Sequence, residues 1–381
     1  MLPNKRPTSP EMKSISARSV PRLKQLLPSF RKLRMGVLGD LMLDRYVWGE
    51  ATHLSPEAAV PVVNYGSQQD FPGGAGNVAA NIAALGGQVE LFGVVGGVRD
   101  KRERATMGGK VAPDEAGASL RRCISDRRIG ASGIVTDQDR VTTLKTRIIA
   151  RHQQIVRIDR ELCDAISTAT EEKLFRALLA TVNNLDALVL SDYDKGLLGD
   201  EFTERVLHAC HQSEVPVFAK PKSSRRRPYN GASAVVCNAK EAARYIGHAL
   251  PDERAVIEAG RALLSHFGCA ALVITRGNQG MTLFEETSPR HLQIPATGLE
   301  VTYARVGKPG VERGANGRQV FDVTGAGDTV LSVLALAVAA GALVSDAALL
   351  ANAAAGVVVG KLGTATVRPI ELRAALDEMR R

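Results

Sequence analysis

From Glu171 to Thr275, short apolar runs alternate with longer stretches of helical period. A helix reaches about Val182, and an apolar run follows at Ala187 to Leu190. A helix near Phe202 to Gln212 precedes a run at Pro216 to Ala219. The run Ala234 to Cys237, a helix from Lys240, a helix over Asp252 to Phe267 and the run Ala271 to Thr275 complete the series. Runs this short and this apolar predict strands covered on both faces. Their alternation with helices predicts a mostly parallel sheet between two helical layers, an α/β fold.

The same pattern extends outward. Met35 to Gly39, Val60 to Tyr65, Leu91 to Gly96 and Met281 to Phe284 read as further strands, and Asp114 to Ile124 as a helix. Thr142 to Ile149 and Gln153 to Asp159 flank Ala150-Arg151-His152 and predict a hairpin or lid rather than a βα unit. Two stretches break the alternation, Gly97 to Pro113 and residues 296–318. Both are rich in Gly and charge and read as loop insertions, the first of them mobile. The helices Val330 to Leu343 and Ser345 to Gly360 are too short to span a bilayer and read as core.

The formal charge of +9 is a property of one end. Residues 1–34 carry nine Lys and Arg against the single acid Glu11, leaving 40 bases and 39 acids for the rest. A nearly neutral body argues against nucleic acid as partner. The tail lacks the apolar core of a signal peptide, so residues 1–33 are expected to be a basic, disordered extension of a cytoplasmic protein with no membrane contact. The five cysteines (Cys123, Cys163, Cys210, Cys237, Cys269) are scattered without a CxxC, which fits a reducing compartment and excludes a cysteine-based zinc site.

Chemistry-bearing residues gather just past the strands. Asp322-Val-Thr324-Gly325-Ala326-Gly327-Asp328 runs into the apolar helix from Val330. Unpaired N–H groups at a helix start attract an anion, and small residues let it approach the backbone. Asp328 in the first turn is either a cap or a general base for an attacking hydroxyl. Asp40 and Asp44 follow the first strand, and Gly73-Gly74-Ala75-Gly76-Asn77 opens an alanine-rich helix. Asn238 and Glu241 after a buried strand are either a capping box or a place for hydrated Mg²⁺ or phosphate. No Walker motif and no GxGxxG fingerprint occurs, which removes P-loop and dinucleotide readings.

Taken together, Gly73 to Asn77, Asp322 to Asp328 and the NxxE of Asn238 to Glu241 resemble the signatures of the ribokinase, or PfkB-type carbohydrate kinase, family. The resemblance covers about residues 34–377. It sharpens at Gly39-Asp40-Leu-Met-Leu-Asp44-Arg45-Tyr46, Leu54-Ser55-Pro56-Glu57-Ala58, Thr142 to Gln154, Ser191-Asp192-Tyr193 with Lys195-Gly196, and Gly360 to Thr366. These stretches are similar to the branch that phosphorylates D-glycero-β-D-manno-heptose 7-phosphate in ADP-heptose and lipopolysaccharide-core synthesis. The resemblance implies a three-layer α/β/α ribokinase-like domain over residues 34–381, with β-lid elements at about 44–66 and 140–160.

It also implies roles. Asp328 would be the base, with Gly325, Ala326 and Gly327 holding phosphoryl charge. Asp44, Gly73, Gly74 and Asn77 would hold sugar hydroxyls, and Lys145, Arg147, Arg151 or Lys195 would meet the 7-phosphate. Asn238 and Glu241 would organise Mg²⁺ and phosphates; Thr275, Gly277, Gly280 and Asn352 would line the ATP cleft. Asp322 and Thr324 match positions of a monovalent-cation site, with K⁺ as the candidate. The lid would make a homodimer contact. Lys220-Pro221-Lys222 departs from the family's Asp-Pro-Lys, placing a base where an acid is expected. No adenylyltransferase pattern follows, so a separate protein is expected to carry that activity. Two alternatives stay open: a PfkB-type kinase of another sugar phosphate, and a binding or regulatory protein that lost turnover through the Lys220 change and the insertions.

Overall fold

A computed structural model of the chain describes residues 19–98, 111–150, 153–221, 229–296, 324–361 and 363–379. Two sheets organise it. The larger has nine strands: β1 (Arg34–Gly39), β4 (Gln88–Gly96), β5 (Gly130–Asp137), β8 (Ala187–Ser191), β9 (Val217–Lys220), β10 (Ala234–Asn238), β11 (Ala271–Thr275), β12 (Met281–Glu285) and β13 (His291–Ile294). Their spatial order is β13-β12-β11-β10-β9-β8-β1-β4-β5. All adjacent pairs are parallel except β11 with β12 and β12 with β13. The chain leaves β1 toward β4 and β5 on one side and later fills β8 to β11 on the other. The β1–β8 boundary is therefore the point where strand order reverses and where open α/β sheets form a crevice.

Alternating side chains feed two separate cores. Val37, Val189, Phe218, Val236 and Val273 pack with α2 (Ala75–Ala84), α3 (Glu115–Asp126), α8 (Ala326–Ala339), α9 (Val344–Val358) and α10 (Pro369–Met379). Leu38, Leu188, Leu190, Val235 and Leu272 point the other way, onto α4 (Thr168–Leu179), α5 (Asp200–Gln212), α6 (Ala239–Ile246) and α7 (Glu253–Phe267). This is the three-layer α/β/α arrangement expected, and burial of such runs on both faces is its main source of stability.

The second sheet has the order β3-β2-β6-β7, with β2 (Leu41–Leu54), β3 (Pro61–Gly74), β6 (Thr143–Ala150) and β7 (Gln153–Arg160). β6 and β7 pair antiparallel, as the hairpin reading requires. β2 and β3 form a longer ribbon than the sequence reading marked, broken by irregularities at Trp48/Gly49 and Ala51/His53. Strands β5 and β13 and helix α10 carry no sequence signal that was read.

The basic tail needs a correction. Residues 19–26 form helix α1 and Leu27–Lys32 a 3₁₀ turn. Val20, Leu23, Leu27 and Phe30 are buried against the α8–α10 layer. Ser19 Oγ donates to Asp346 at 2.5 Å, and Lys24 pairs with Asp377. Apolar spacing of three and four residues makes an amphipathic face that charge counting hid. The disordered reading therefore fails from residue 19; residues 1–18 lie outside the described residues, as do most of both insertions. Among the described residues no helix is long and apolar enough to cross a membrane.

Candidate active site

Five parallel strands end on one side of the larger sheet, and each delivers a polar residue there. Asp40 follows β1, Asp192 and Tyr193 follow β8, Lys220 ends β9, Asn238 ends β10 and Thr275 ends β11. The start of α8 and the inner face of the smaller sheet close over them, leaving a cavity of about 860 Å³. That is enough for a nucleotide and a small phosphorylated partner, at the upper end of ordinary ligand sites.

Asp328 lines this cavity, in the first turn of α8 and 2% exposed. Three donors converge on its carboxylate. Asn77 Nδ2 donates to Oδ2 at 2.9 Å, while Tyr193 Oη and Lys220 Nζ donate to Oδ1 at 2.6 Å each. No side chain caps α8, so Asp328 is not the helix cap of the bland reading. Gly325, the N-cap residue, has φ of +82°. A Cβ there would also meet Asn77 Nδ2 at 2.6 Å, so this turn requires glycine on two grounds. In the first turn of α8 the Asp328 N–H is taken by Gly325 O at 3.0 Å, while Ala326 and Gly327, which line the cavity, occupy the positions whose N–H groups a helix start leaves for an anion.

Charge shapes the neighbours. Burial opposes ionisation of Tyr193, and the Asp328 carboxylate beside it adds to this, pushing its phenol up so that it stays a donor. Burial also opposes the Lys220 ammonium, but the Asp328 carboxylate, with Glu241, outweighs it and holds Lys220 protonated. Asp40 is pushed up to about 6, chiefly by burial and then by Asp192, although backbone N–H groups of Tyr193 and Lys195 oppose this.

On the side of the smaller sheet, Arg147 Nη1 donates to Asp44 Oδ1 at 2.6 Å, and its guanidinium lies 5.2 Å from the Tyr46 ring centroid. Burial pushes the Asp44 carboxyl up despite Arg147. Lys145 pairs with Asp159 and Glu161, and Lys195 with Glu161. Of the four basic residues expected to meet a sugar phosphate, Lys145, Arg147 and Lys195 are each paired with a carboxylate, and Arg151 lies outside the described residues. Gly73 sits against Asp44, where a Cβ would come 2.4 Å from Oδ2.

At the far end, Asn238 and Glu241 form the capping box of α6, each side chain bonded to the other's backbone N–H at 2.9 Å. Both still line the cavity, with Thr275, Gly277, Gly280 and Asn352. Asn352 Nδ2 donates to Pro295 O at 2.8 Å. Among the described residues no group of three or more His, Cys, Asp or Glu can hold a metal by itself. A single cavity-lining carboxylate such as that of Glu241 would suit a Mg²⁺ that arrives on phosphates and keeps most of its waters. Thr324 lines the cavity, while Asp322 lies outside the described residues. Sequence reasoning missed Tyr193 and Glu161 as site members and treated Lys220 only as a departure. The Ser-Asp-Tyr run directly after a buried strand was the available signal for Tyr193.

Comparison with known proteins gives consistent results. The model of the pfkB family carbohydrate kinases matches residues 36–371. "Bifunctional protein HldE" of Geobacter sulfurreducens is 42% identical over 340 residues, covering 89% of this chain and 62% of that protein. The HldE protein of Nitrosococcus oceani is 40% identical over 352 residues, covering 92% and 65%. The chain thus spans less than two thirds of the length of these curated relatives. Among solved structures, phosphofructokinase-2 from Escherichia coli matches with a TM-score of 0.68 at 18% identity, over 92% of this chain and all of that one. Arabidopsis thaliana ribokinase, solved with ribose and ATP, matches with a TM-score of 0.63 at 17% identity, over 92% and 99%. These two show the ribokinase-like fold.

Proposed function

We propose, from the premise that this chain belongs to the pfkB family of carbohydrate kinases, that it phosphorylates D-glycero-β-D-manno-heptose 7-phosphate at O1, using ATP. The enzyme class, a phosphotransferase acting on a carbohydrate hydroxyl, follows from the family. The substrate is supported by the likeness to HldE proteins across nearly the whole body; Lys145, Arg147 and Lys195 line the cavity, each paired with a carboxylate that a sugar phosphate would have to compete with.

One observation carries the mechanism: a buried carboxylate and an anion-binding helix start share a single turn. In this reading the sugar O1 attacks the γ-phosphorus, a new O–P bond forms, and the bond from the γ-phosphorus to the β–γ bridging oxygen breaks to release ADP. The hydroxyl proton passes to Asp328. Gly325, Ala326 and Gly327 present N–H groups to the charge on the transferred group. Asp44, Gly73, Gly74 and Asn77 orient the sugar, with Arg147 fixing the Asp44 carboxylate. Thr275, Gly277, Gly280 and Asn352 line the nucleotide end. Mg²⁺ would neutralise phosphate charge, held near Asn238 and Glu241, and Thr324 with Asp322 would supply a K⁺ site.

The smaller sheet also offers a self-association face. Val156 and Ile158 alternate with the cavity-lining Arg157 and Asp159, so they face away from the cavity, 45% and 56% exposed. A homodimer formed through this face would bury them.

The test is ADP release by purified protein with Mg-ATP and K⁺ across a panel of sugar phosphates, beside Asp328→Asn. Turnover on the heptose 7-phosphate that is lost in the variant supports the reading. Preference for another sugar phosphate refutes the substrate and retains the kinase. Silence on the whole panel refutes turnover and favours the regulatory alternative.

A further inference from the structure

Lys220 has no place in the mechanism above, yet it makes the shortest cationic contact to the proposed base. It ends β9, its side chain is 12% exposed, and its ammonium reaches three groups. Nζ lies 2.6 Å from Asp328 Oδ1 and 3.2 Å from Tyr193 Oη, and 4.9 Å from the Tyr193 ring centroid. It also lies under the first turn of α8: a Cβ built on Gly327 would come within 3.2 Å of Nζ and 3.3 Å of Cε. The ammonium therefore touches the carboxylate and lies beside Gly327 of the first turn.

That position creates an electrostatic requirement. A nearly buried ammonium needs a counter-charge, because taking an unpaired one out of water is strongly unfavourable. Without substrate, Asp328 supplies it. When Asp328 takes a proton its charge vanishes, while Lys220, held protonated, keeps its own. Glu241 still favours the ammonium, but the contact that Asp328 gave up is restored by negative charge arriving within contact distance. The anion site beside Gly327 is where a transferred phosphoryl group brings it.

Resting on the kinase reading above, we propose that Lys220 is a catalytic cation for the transferred phosphoryl group, moving its ammonium contact from Asp328 to a γ-phosphoryl oxygen as the proton leaves the sugar hydroxyl. Transfer of the proton and transfer of the phosphoryl group are thereby coupled through one side chain. The step conserves charge: the carboxylate becomes neutral, and the Lys220 pair passes to the phosphoryl oxygens. The replacement of an expected acid by Lys220 then adds a fixed positive charge at the γ-position, next to the N–H groups that also serve it.

The experiment compares wild type, Lys220→Gln and Lys220→Arg. Gln keeps a donor to Asp328 and removes the charge; Arg keeps the charge. Calorimetry with Mg²⁺ measures the affinity of β,γ-methylene-ATP relative to ADP, and steady-state kinetics on the sugar-phosphate panel measures kcat. Expected is a wild-type preference for the triphosphate analogue that falls at least tenfold in Lys220→Gln. ADP affinity should stay within threefold, kcat should fall about 10²-fold, and Lys220→Arg should recover most of the preference. A merely structural lysine would change both nucleotides alike. An unchanged ratio in Lys220→Gln, in a wild type that turns over, overturns this proposal alone. A wild type that binds neither nucleotide overturns the kinase reading and this proposal with it. Thermal unfolding reports whether the Gln variant folds; if it does not, the wild-type ratio decides, and equal affinities overturn the proposal.

Discussion

Asn77 donates from Nδ2 to Oδ2 of Asp328 across 2.9 Å, joining the first turns of α2 and α8 from opposite ends of the chain. A second tier holds this bond. Asn81 Nδ2 donates to the Asn77 carbonyl at 2.9 Å and to its Oδ1 at 3.2 Å, and Thr329 Oγ1 donates to Asn81 Oδ1 at 3.0 Å. Asn77 is thereby oriented with its amide toward the carboxylate rather than away from it. In Asn77→Ala the buried Asp328 loses one of three donors, so stability should fall by about 1–3 kcal/mol. In the kinase reading kcat should fall at least tenfold, with nucleotide affinity unchanged. Urea unfolding and nucleotide calorimetry on the same preparation check both parts.

Gly325 invites a sharper test, because one substitution breaks two requirements. With φ at +82° an alanine costs about 1 kcal/mol in backbone strain alone. Its Cβ would also enter the Asn77 amide at 2.6 Å and push it off Asp328. Gly325→Ala should therefore lower the urea midpoint and abolish most turnover. Gly341→Ala is a fair control: φ is +90°, but nothing lies within 4 Å of its added Cβ. A variant at Gly325 no worse than that control in activity would remove the packing half of the argument.

Much of this arrangement is legible in the sequence, and the reasons differ by element. Strands β8 to β11 are readable because each is buried on both faces, so the three or four residues before its polar end must be apolar. Asp328 and Asn77 are readable because glycines mark the turns that carry them. Strand β5, with exposed Ser132 and intermediate Gly130 and Ala131, has no such constraint and leaves a weak pattern. Val20, Leu23, Leu27 and Phe30 did carry a helical period, but Lys24, Arg31 and Lys32 among them drew the reading toward a solvated tail. Lys220 shows a different limit. A sequence shows that a base replaces an acid, yet only the packing of β9 beneath α8 shows that this base meets Asp328.

The Asp44–Arg147 pair is nearly buried, with side chains 5% and 9% exposed. Removing one partner of such a pair leaves an uncompensated charge and typically costs about 3–5 kcal/mol. Arg147→Ala should therefore loosen the smaller sheet before it affects the nine-stranded one. Hydrogen exchange should show faster opening of β2, β6 and β7 with protection of β8 to β11 retained. Asp44→Asn combined with Arg147→Met should recover part of the loss, because neither side then carries a charge. Equal losses in the single and double variants would refute the pair as the source of the effect.

Val156 and Ile158 predict self-association. Light scattering should give twice the chain mass for the wild-type protein, and Ile158→Asp should shift it toward the monomer by placing a charge in the buried centre of the contact. A monomeric wild type at micromolar concentration would refute the dimer while leaving the cavity chemistry untouched.

Asp40 supplies a pH dependence whose sign can be worked out. Its carboxyl is raised from 3.8 to about 6, so the folded state binds the proton more tightly than the unfolded state. The group's contribution is fully present below pH 3.8 and is lost as pH rises through about 6, so ionised Asp40 weighs against the fold at neutral pH. A shift of this size corresponds to about 3 kcal/mol at most. Asparagine at this position keeps an acceptor for the N–H groups of Tyr193 and Lys195 and carries no charge. Asp40→Asn should raise the urea midpoint at pH 7.5 and change it little at pH 4.5. The difference between variant and wild type should grow between pH 4 and 6. A difference that stays flat across that window would show that Asp40 does not titrate there, and that the Asp192 carboxylate beside it is neutralised in another way.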